Sequence, residues 1–231
     1  YKIAGELLPS VFHVAARAVA TNALSIFGDH SDVMATRQTG FCMLAEASVQ
    51  EVMDLSAVAH LASIEGSLPF VNFFDGFRTS HELQKIEVLD YADLKQMVDW
   101  DKLADFRARA MNPNAPTISG TAQNQDIYFQ SRETVNQFYD RMPAIVQKYM
   151  QEINQLRGTN YDLTTYYGAD DATEVLISMG SVAPTIRQTV DYLNAQGRKV
   201  GHLNIHLYRP FPTENLLEKL PDTVEKVAVL D

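Results

Sequence analysis

The sequence predicts an α/β protein made of two successive units, each with a parallel sheet. Short apolar runs of strand length alternate with amphipathic stretches of helix length, and turn residues separate them. A strand–helix–strand succession of this length favours a parallel sheet covered by helices. The pattern runs to about residue 161 and starts afresh after it. We therefore predict a first domain over residues 1–161, with a connecting helix at its end, and the start of a second over residues 162–231.

Two strands and one helix form the predicted centre of the first domain. Residues 11–16 and 68–74 are apolar runs bounded by turn residues, which is typical of buried strands. Residues 48–64 predict a helix between them. Ser48 and Glu51 have the spacing of a capping box, and an apolar stripe follows.

Three further segments complete the first domain. Residues 90–109 predict a second helical region, in which Trp100 is expected to pack against neighbouring apolar side chains. Residues 111–130 are rich in Pro, Gly, Asn and Gln, and predict a connecting segment that is functional or crosses between domains. Residues 133–157 predict a long helix, which Pro143 is expected to kink.

The second domain repeats the alternation of strands and helices. Pro184 suits the first turn of a helix, Gly197 suits its end, and Thr213 is a suitable cap for a short helix. The predicted elements, in chain order, are strand 174–179, helix 184–195, strand 200–207, helix 213–220 and strand 224–230.

Composition excludes several classes of function. The 231 residues are 46% hydrophobic, enough for a core, but no apolar run reaches the roughly 18 residues of a membrane span. We therefore expect no membrane partner. The formal net charge of −10, without a basic cluster, argues against nucleic-acid binding. The single Cys42 cannot form an internal disulfide, which suits a reducing, cytoplasmic compartment.

Common catalytic signatures are missing from the sequence. It has no phosphate-binding loop, dinucleotide fingerprint, serine elbow or paired-histidine zinc motif, so we predict no metal site in these residues. Cys42 lies in an apolar run, where a buried, unreactive thiol is expected. The chain starts at Tyr1 and stops at Asp231 directly after a predicted strand, so we expect a piece of a longer polypeptide.

Arg17 is the first candidate site residue. It directly follows the predicted strand 11–16, which carries no acidic or basic side chain apart from His13. An arginine there commonly caps a strand or pairs with an acid. Alternatively, its guanidinium could bind a small carboxylate through two hydrogen bonds at the carboxyl edge of the sheet, where the active sites of open α/β sheets lie.

Two polar segments are further candidates. Residues 25–32 combine glycine, aromatic and polar residues, and His30 could either transfer protons near neutral pH or make one structural hydrogen bond. Residues 73–82 pass from aromatic residues into Asp75 and Gly76 at a strand end. Their simpler interpretation is a tight strand–helix corner with Asp75 paired to Arg78.

Several long motifs together resemble one enzyme family. In chain order they are residues 25–30, 37–41, 73–82, 120–124 with 126–130, and 208–211. In this order they are similar to pyruvate:ferredoxin (flavodoxin) oxidoreductase, a family of thiamine diphosphate enzymes several times longer than this chain. The resemblance implies that residues 1–161 are the later part of a pyrimidine-type thiamine diphosphate-binding fold. Residues 162–231 would open a domain like the C-terminal domain of transketolase.

The resemblance also implies an activity for the parent protein. Family members oxidatively decarboxylate pyruvate, transfer the acetyl group to coenzyme A, and pass electrons through [4Fe-4S] clusters to ferredoxin or flavodoxin. Thiamine diphosphate and Mg²⁺ are the implied cofactors, mostly bound outside this segment, and the full-length protein is expected to be a homodimer.

Few site residues carry over from the family. Arg17 matches the arginine that binds the pyruvate carboxylate and supports catalysis, whereas Ile26, Phe27 and Gly28 match a segment beside the thiamine pocket. Departures from the family pattern, such as Asn22, leave a sister enzyme for another 2-oxoacid as an alternative. The isolated segment could also serve as a non-catalytic scaffold or subunit-contact module.

Overall fold

The structure is a computed structural model that describes residues 1–230. Strands alternate with helices along most of this range. The helices are α1 (Lys2–Gly5), α2 (Ser31–Ala35), α3 (Val49–Gly66), α4 (Tyr91–Met97), α5 (Trp100–Ala108), α6 (Gln125–Glu133), α7 (Asn136–Arg157), α8 (Ala183–Ala195) and α9 (Thr213–Lys219). The strands are β1 (Val11–Ala16), β2 (Cys42–Glu46), β3 (Phe70–Asp75), β4 (Thr164–Gly168), β5 (Glu174–Ser178), β6 (Val200–Ile205), β7 (Leu207–Arg209) and β8 (Lys226–Val229). No helix within residues 1–230 has the length and apolar character needed to cross a bilayer.

The first sheet has the strand order β1-β3-β2-β7. Strands β1, β3 and β2 are parallel, so their carboxyl ends share one edge, and Ala16 at the end of β1 is in register with Asp75 at the end of β3. Strand β7 is antiparallel to β2. Because β7 follows residue 161, the predicted second unit contributes a strand to the first sheet.

The second sheet has the order β4-β6-β5-β8. Strands β6, β5 and β8 are parallel, and β4 runs antiparallel to β6. A small core that includes Val175, Ile177 and Leu203 packs within this unit. The predicted α/β class, with parallel strands dominating two sheets, is confirmed.

Helices α3 and α7 pack together on one face of the first sheet. The buried apolar side chains of both helices, such as Leu55 and Ile153, form one core with Cys42 and Phe70. The predicted cap of α3 is present, because the Ser48 hydroxyl accepts a hydrogen bond from the Glu51 amide at 3.2 Å. That hydrogen bond satisfies a backbone donor that the first turn of a helix would leave unpaired.

Trp100 packs less completely than the sequence predicts. Two short helices, α4 and α5, replace the predicted continuous region, because Asp99 caps a new helix by accepting from the Lys102 amide at 2.9 Å. Trp100 is therefore the first residue of α5. Half of its surface is exposed, and its indole donates to the Lys95 carbonyl at the end of α4.

Other boundaries also differ from the predicted ones. The connecting segment ends at α6, which begins at Gln125, and the predicted long helix begins only at Asn136. Residues 82–90 form no helix, so the chain after Ser80 is not a strand–helix corner. Helix α9 starts without a side-chain cap, with Pro212 at the cap position where Thr213 was expected.

Candidate active site

Arg17 lies at the shared carboxyl edge of the parallel strands. It directly follows β1, and its backbone is held on both sides by Asp32 of α2. The Arg17 amide donates to Asp32 Oδ2 at 3.0 Å, and the Asp32 amide donates to the Arg17 carbonyl at 3.2 Å. An isolated bridge also pairs Arg17 with Gly28. The backbone position of Arg17 is therefore fixed by hydrogen bonds to neighbouring residues and does not depend on the Arg17 side chain.

The aliphatic part of the Arg17 side chain packs against Gly76. A Cβ atom at Gly76 would lie 2.6 Å from Arg17 Cγ and 2.6 Å from the Ala16 carbonyl oxygen, so no side chain fits there. The Gly76 amide donates to that carbonyl at 2.7 Å. Arg17 is exposed, and no other group among residues 1–230 makes a hydrogen bond or ion pair with its guanidinium. Its five donors are available to a ligand.

The segment Ile26 to Gly28 lies beside Arg17. Gly28 is joined to it by the bridge, and the side chains of Ile26 and Phe27 are 45% and 68% exposed. The Phe27 ring packs edge-on against Phe77, with the ring centres 5.7 Å apart. The structure thus gathers the sequence-predicted residues at one edge of the first sheet and leaves apolar surface exposed there.

Asp75 pairs with His30, and the predicted pair with Arg78 does not form within residues 1–230. His30 Nε2 lies 2.8 Å from Asp75 Oδ1, and Asp75 Oδ2 accepts a hydrogen bond from the Ser181 amide. Burial alone would raise the pKa of Asp75, but the hydrogen bonds from His30 and Ser181 outweigh it and lower that pKa below its usual value. His30 thus has a structural partner in this arrangement.

A cleft of about 890 Å³ opens where the two units meet. Its walls come from α2, the end of β3 and the turn between β5 and α8, and include His30, Arg37, Arg78, Ser181 and Tyr208. Gly28 also lines the cleft, whereas Arg17, Ile26 and Phe27 lie outside its walls. The cleft contains charged groups of both signs, because Asp29 and Asp75 line it together with Arg37 and Arg78.

Comparison with known protein families identifies the chain. Residues 1–151 match the family described as pyruvate flavodoxin/ferredoxin oxidoreductase, thiamine diphosphate-binding. The chain belongs to this family. Residues 172–231 match a second description, pyruvate:ferredoxin oxidoreductase core domain II. The family predicted from the sequence motifs is therefore confirmed.

Individual relatives agree with this membership. The chain is 61% identical over 231 residues to a pyruvate-flavodoxin oxidoreductase of Enterobacter agglomerans and 59% identical to a pyruvate:ferredoxin oxidoreductase of Moorella thermoacetica. It is 50% identical over 232 residues to a pyruvate dehydrogenase [NADP(+)] of Cryptosporidium parvum. In each case all of this chain is covered. It spans 20% of the length of the first two relatives and 12% of the third.

A solved structure shares the fold. It is a 2-oxoglutarate:ferredoxin oxidoreductase from Magnetococcus marinus, with 2-oxoglutarate, coenzyme A and succinyl-CoA bound. The TM-score is 0.60 at 15% identity, over 99% of this chain and 42% of the other. The thiamine diphosphate-binding α/β fold of the family is therefore also the fold found here.

The residues of this pyruvate oxidoreductase family member fit only part of the family's cofactor set. The exposed apolar side chains of Ile26 and Phe27 suit contact with an aromatic cofactor ring such as that of thiamine. Within residues 1–230, no three His, Cys, Asp or Glu side chains are grouped closely enough to hold a metal ion. Cys42 is fully buried, and burial raises the pKa of its thiol, so it does not suit an iron–sulfur cluster.

Sequence reasoning missed the connection that Asp75 makes. Gly180 and Ser181 lie between the predicted strand 174–179 and the predicted helix 184–195, and no periodicity links them to Asp75, about a hundred positions earlier. The sequence contains only a weak indication that Asp75 contacts another segment. An acidic residue followed by glycine ends a strand that was predicted to lie parallel to the strand before Arg17.

Proposed function

We propose that this chain is part of an enzyme that oxidatively decarboxylates pyruvate to acetyl-CoA and carbon dioxide. Electrons would pass through [4Fe-4S] clusters to ferredoxin or flavodoxin. The observation that carries the proposal is the 61% identity, over the whole chain, with a pyruvate-flavodoxin oxidoreductase. Pyruvate, coenzyme A and the electron carrier are substrates and partners of the whole protein, of which the chain spans a small part.

Arg17 is the residue that would bind the pyruvate carboxylate. Its guanidinium is exposed and always charged, and its planar donors match the two oxygens of a carboxylate. The backbone hydrogen bonds to Asp32 and the contact with Gly76 hold the residue before substrate arrives. Such preorganisation lowers the cost of orienting the substrate. Arg17 would hold the carboxylate while its bond to the keto carbon breaks.

Ile26, Phe27 and Gly28 would form the apolar side of the site. The exposed side chains of Ile26 and Phe27 can pack on a ring and exclude water from it, and Gly28 keeps the segment close to Arg17. Thiamine diphosphate, when bound, supplies the nucleophilic carbon and the electron sink that decarboxylation of a 2-oxoacid requires.

The wider parts of the proposal concern the whole protein. Mg²⁺, the clusters, coenzyme A binding and a homodimer are supported by family membership. A cytoplasmic location is supported by the free, buried Cys42, which suits a reducing compartment. We also propose a domain boundary near residue 161, supported by the end of α7 at Arg157 and the start of the second sheet at Thr164.

The test is Arg17→Ala in the full-length enzyme. Loss of a charge-assisted contact that becomes buried when substrate binds should cost about 2 to 5 kcal/mol, or roughly 30-fold to several thousand-fold in kcat/KM for pyruvate. Added guanidinium ion should restore part of the activity. Arg107→Ala is the control, because Arg107 is an exposed arginine on α5, away from this edge. Unchanged pyruvate kinetics in Arg17→Ala would refute the assignment. A better response to another 2-oxoacid in the unaltered enzyme would favour a sister activity.

A further inference from the structure

One carboxylate joins three segments that are far apart in the chain. Asp75 is the last residue of β3 and is 6% exposed. Its Oδ1 lies 2.8 Å from His30 Nε2, at the start of α2, and its Oδ2 accepts from the Ser181 amide, between β5 and α8. These partners lie 45 and 106 positions away. The first sheet, the loop before α2 and the second unit therefore meet at Asp75.

Gly180 allows the turn of the second unit to approach this carboxylate. A Cβ atom at Gly180 would lie 2.8 Å from Asp75 Oδ2 and 2.9 Å from His30 Nε2. The backbone at Gly180 has φ +81°, which also favours glycine. Both the conformation and the space at this position thus suit a close contact between the turn and the carboxylate.

Asp75 is also adjacent to the groups that fix Arg17. A Cβ atom at Gly28 would lie 3.3 Å from Asp75 Cβ, so the Gly28 backbone closely approaches the Asp75 side chain. Gly28 is bridged to Arg17, and Gly76, the residue after Asp75, supports the Arg17 stem. A substitution at Asp75 would therefore shift Gly28 and Gly76, and through these two glycines it would displace Arg17.

We infer that Asp75 is a positioning residue that holds the Gly180–Ser181 turn of the second unit against the loop carrying Ile26 to His30, and thereby keeps Arg17 in place. The inference rests on the proposed function, because it takes Arg17 as the group that binds the substrate carboxylate. Asp75 acts through Arg17 and makes no contact with substrate. The two units would then have to be docked correctly before the carboxylate site is complete.

The experiment is a double-mutant cycle in the full-length enzyme, with Asp75→Asn and Arg17→Ala alone and combined. Losing hydrogen bonds to a charged group predicts a rise in KM for pyruvate of roughly 10-fold to 100-fold in Asp75→Asn, with KM for coenzyme A unchanged. In the Arg17→Ala background the same substitution should change KM for pyruvate less than about 2-fold, because residues that act through one contact are not additive.

A second variant keeps the test decisive if Asp75→Asn folds poorly. Gly180→Ala should raise KM for pyruvate as Asp75→Asn does, whereas Gly197→Ala should leave KM for pyruvate unchanged. Gly197 is the matched control because it has φ +83° but open space where a Cβ atom would lie, so both variants introduce the same backbone strain. Hydrogen exchange should also speed up at the Ser181 and Asp32 amides in Asp75→Asn and Gly180→Ala.

The outcomes separate this inference from the proposed function. If Arg17→Ala lowers activity but the effects of Asp75→Asn and Arg17→Ala multiply, Asp75 acts independently of Arg17 and the inference is wrong. Equal effects of Gly180→Ala and Gly197→Ala would also overturn it. If Arg17→Ala itself has no effect, the proposed function fails at its own residue.

Discussion

Glu46 is a buried acid at the carboxyl end of β2, an inner strand of the first sheet. It is fully buried, and neither of its carboxylate oxygens has a hydrogen-bond partner among residues 1–230. Burial raises its pKa well above the usual range, and the nearby Asn72 and Ser56 side chains offset this only in part. The folded protein therefore favours the neutral carboxyl form at this position.

A pH dependence of stability follows from this shift. The folded state holds a proton on Glu46 that the unfolded state releases above about pH 4.3, so stability should fall as pH rises from there toward the folded pKa. Glu46→Gln removes the titrating group and should flatten that fall. The measurement is the hydrogen-exchange protection of the β2 amides in the full-length protein at mildly acidic and mildly alkaline pH.

Glu51 provides a control of opposite sign. Burial alone would raise its pKa, but its interaction with His206, 3.5 Å away, outweighs this and lowers the pKa below the usual value. Its stabilisation is therefore present above about pH 4.3 and lost as pH falls through the folded pKa. Glu51→Gln should thus reduce protection near neutral pH, where Glu46→Gln should increase it. The same response from both variants would contradict the assigned protonation states.

A substitution at Gly76 separately tests how the Arg17 side chain is held. Gly76→Ala places a methyl group against the Arg17 stem and the Ala16 carbonyl, so the guanidinium should be displaced and KM for pyruvate should rise by roughly 10-fold or more. Gly5→Ala is the control, since Gly5 has open space around its Cα. Steady-state kinetics with pyruvate as the varied substrate would make the measurement, and wild-type KM in Gly76→Ala would contradict the packing argument.

The candidate site was only partly readable from the sequence. Arg17 stood out because a basic side chain directly follows an apolar strand. Asp75 did not, because its partners His30 and Ser181 come from distant segments that only the tertiary fold joins. Glu46 gave no signal either, since its full burial depends on neighbouring strands and α3.

Among the elements, helices α3 and α7 pack on each other and share one buried core with strands of the first sheet. Met142 of α7 is fully buried, and its methyl group fills the space that a side chain at Gly66 of α3 would need. Met142→Ala should lower the free energy of opening α7 by about 2 to 5 kcal/mol, because it leaves a cavity. Hydrogen exchange of the α7 amides in the full-length protein measures that free energy.

Met111→Ala is the matched control for this substitution. Met111 is 89% exposed in the connecting segment, so removing its side chain should change stability by no more than about 0.5 kcal/mol. Equal losses in the two variants would show that the α3–α7 contact does not contribute as argued.

The elements that were predicted correctly have strong local patterns. Strand β1 and helices α3 and α8 have either a run that is apolar apart from one histidine or an apolar stripe flanked by residues that favour helix ends. Strands β2 and β4 were missed. Strand β2 spans five residues and ends in Glu46, whereas β4 is rich in Thr and Tyr and pairs antiparallel at a sheet edge. Pairing that depends on distant strands leaves little trace in a short local pattern.

At the scale of the whole molecule, the two units are joined by more than the chain between them. Strand β7 pairs with β2 in the first sheet, and the Asp75 carboxylate contacts the turn after β5. The sequence predicted one strand over residues 200–207, but the structure ends β6 at Ile205 and forms β7 separately. The second unit therefore helps to build the sheet whose edge carries Arg17.

The mass and the cofactor content of the whole protein can also be predicted. The chain spans 20% of the length of a closely similar relative, so the native protein should have a mass several times 25.9 kDa. It should contain thiamine diphosphate and iron when purified without oxygen. Native mass spectrometry with metal and cofactor analysis would measure both, and a protein lacking iron and thiamine would contradict the proposed family chemistry.

A structure of the full-length enzyme with pyruvate bound tests the central claim most directly. We expect the Arg17 guanidinium to donate to the pyruvate carboxylate at about 2.7 to 2.9 Å, the range of charge-assisted hydrogen bonds. We also expect Ile26 and Phe27 to border the same pocket. A carboxylate held by other residues, with Arg17 outside hydrogen-bond distance, would contradict this claim.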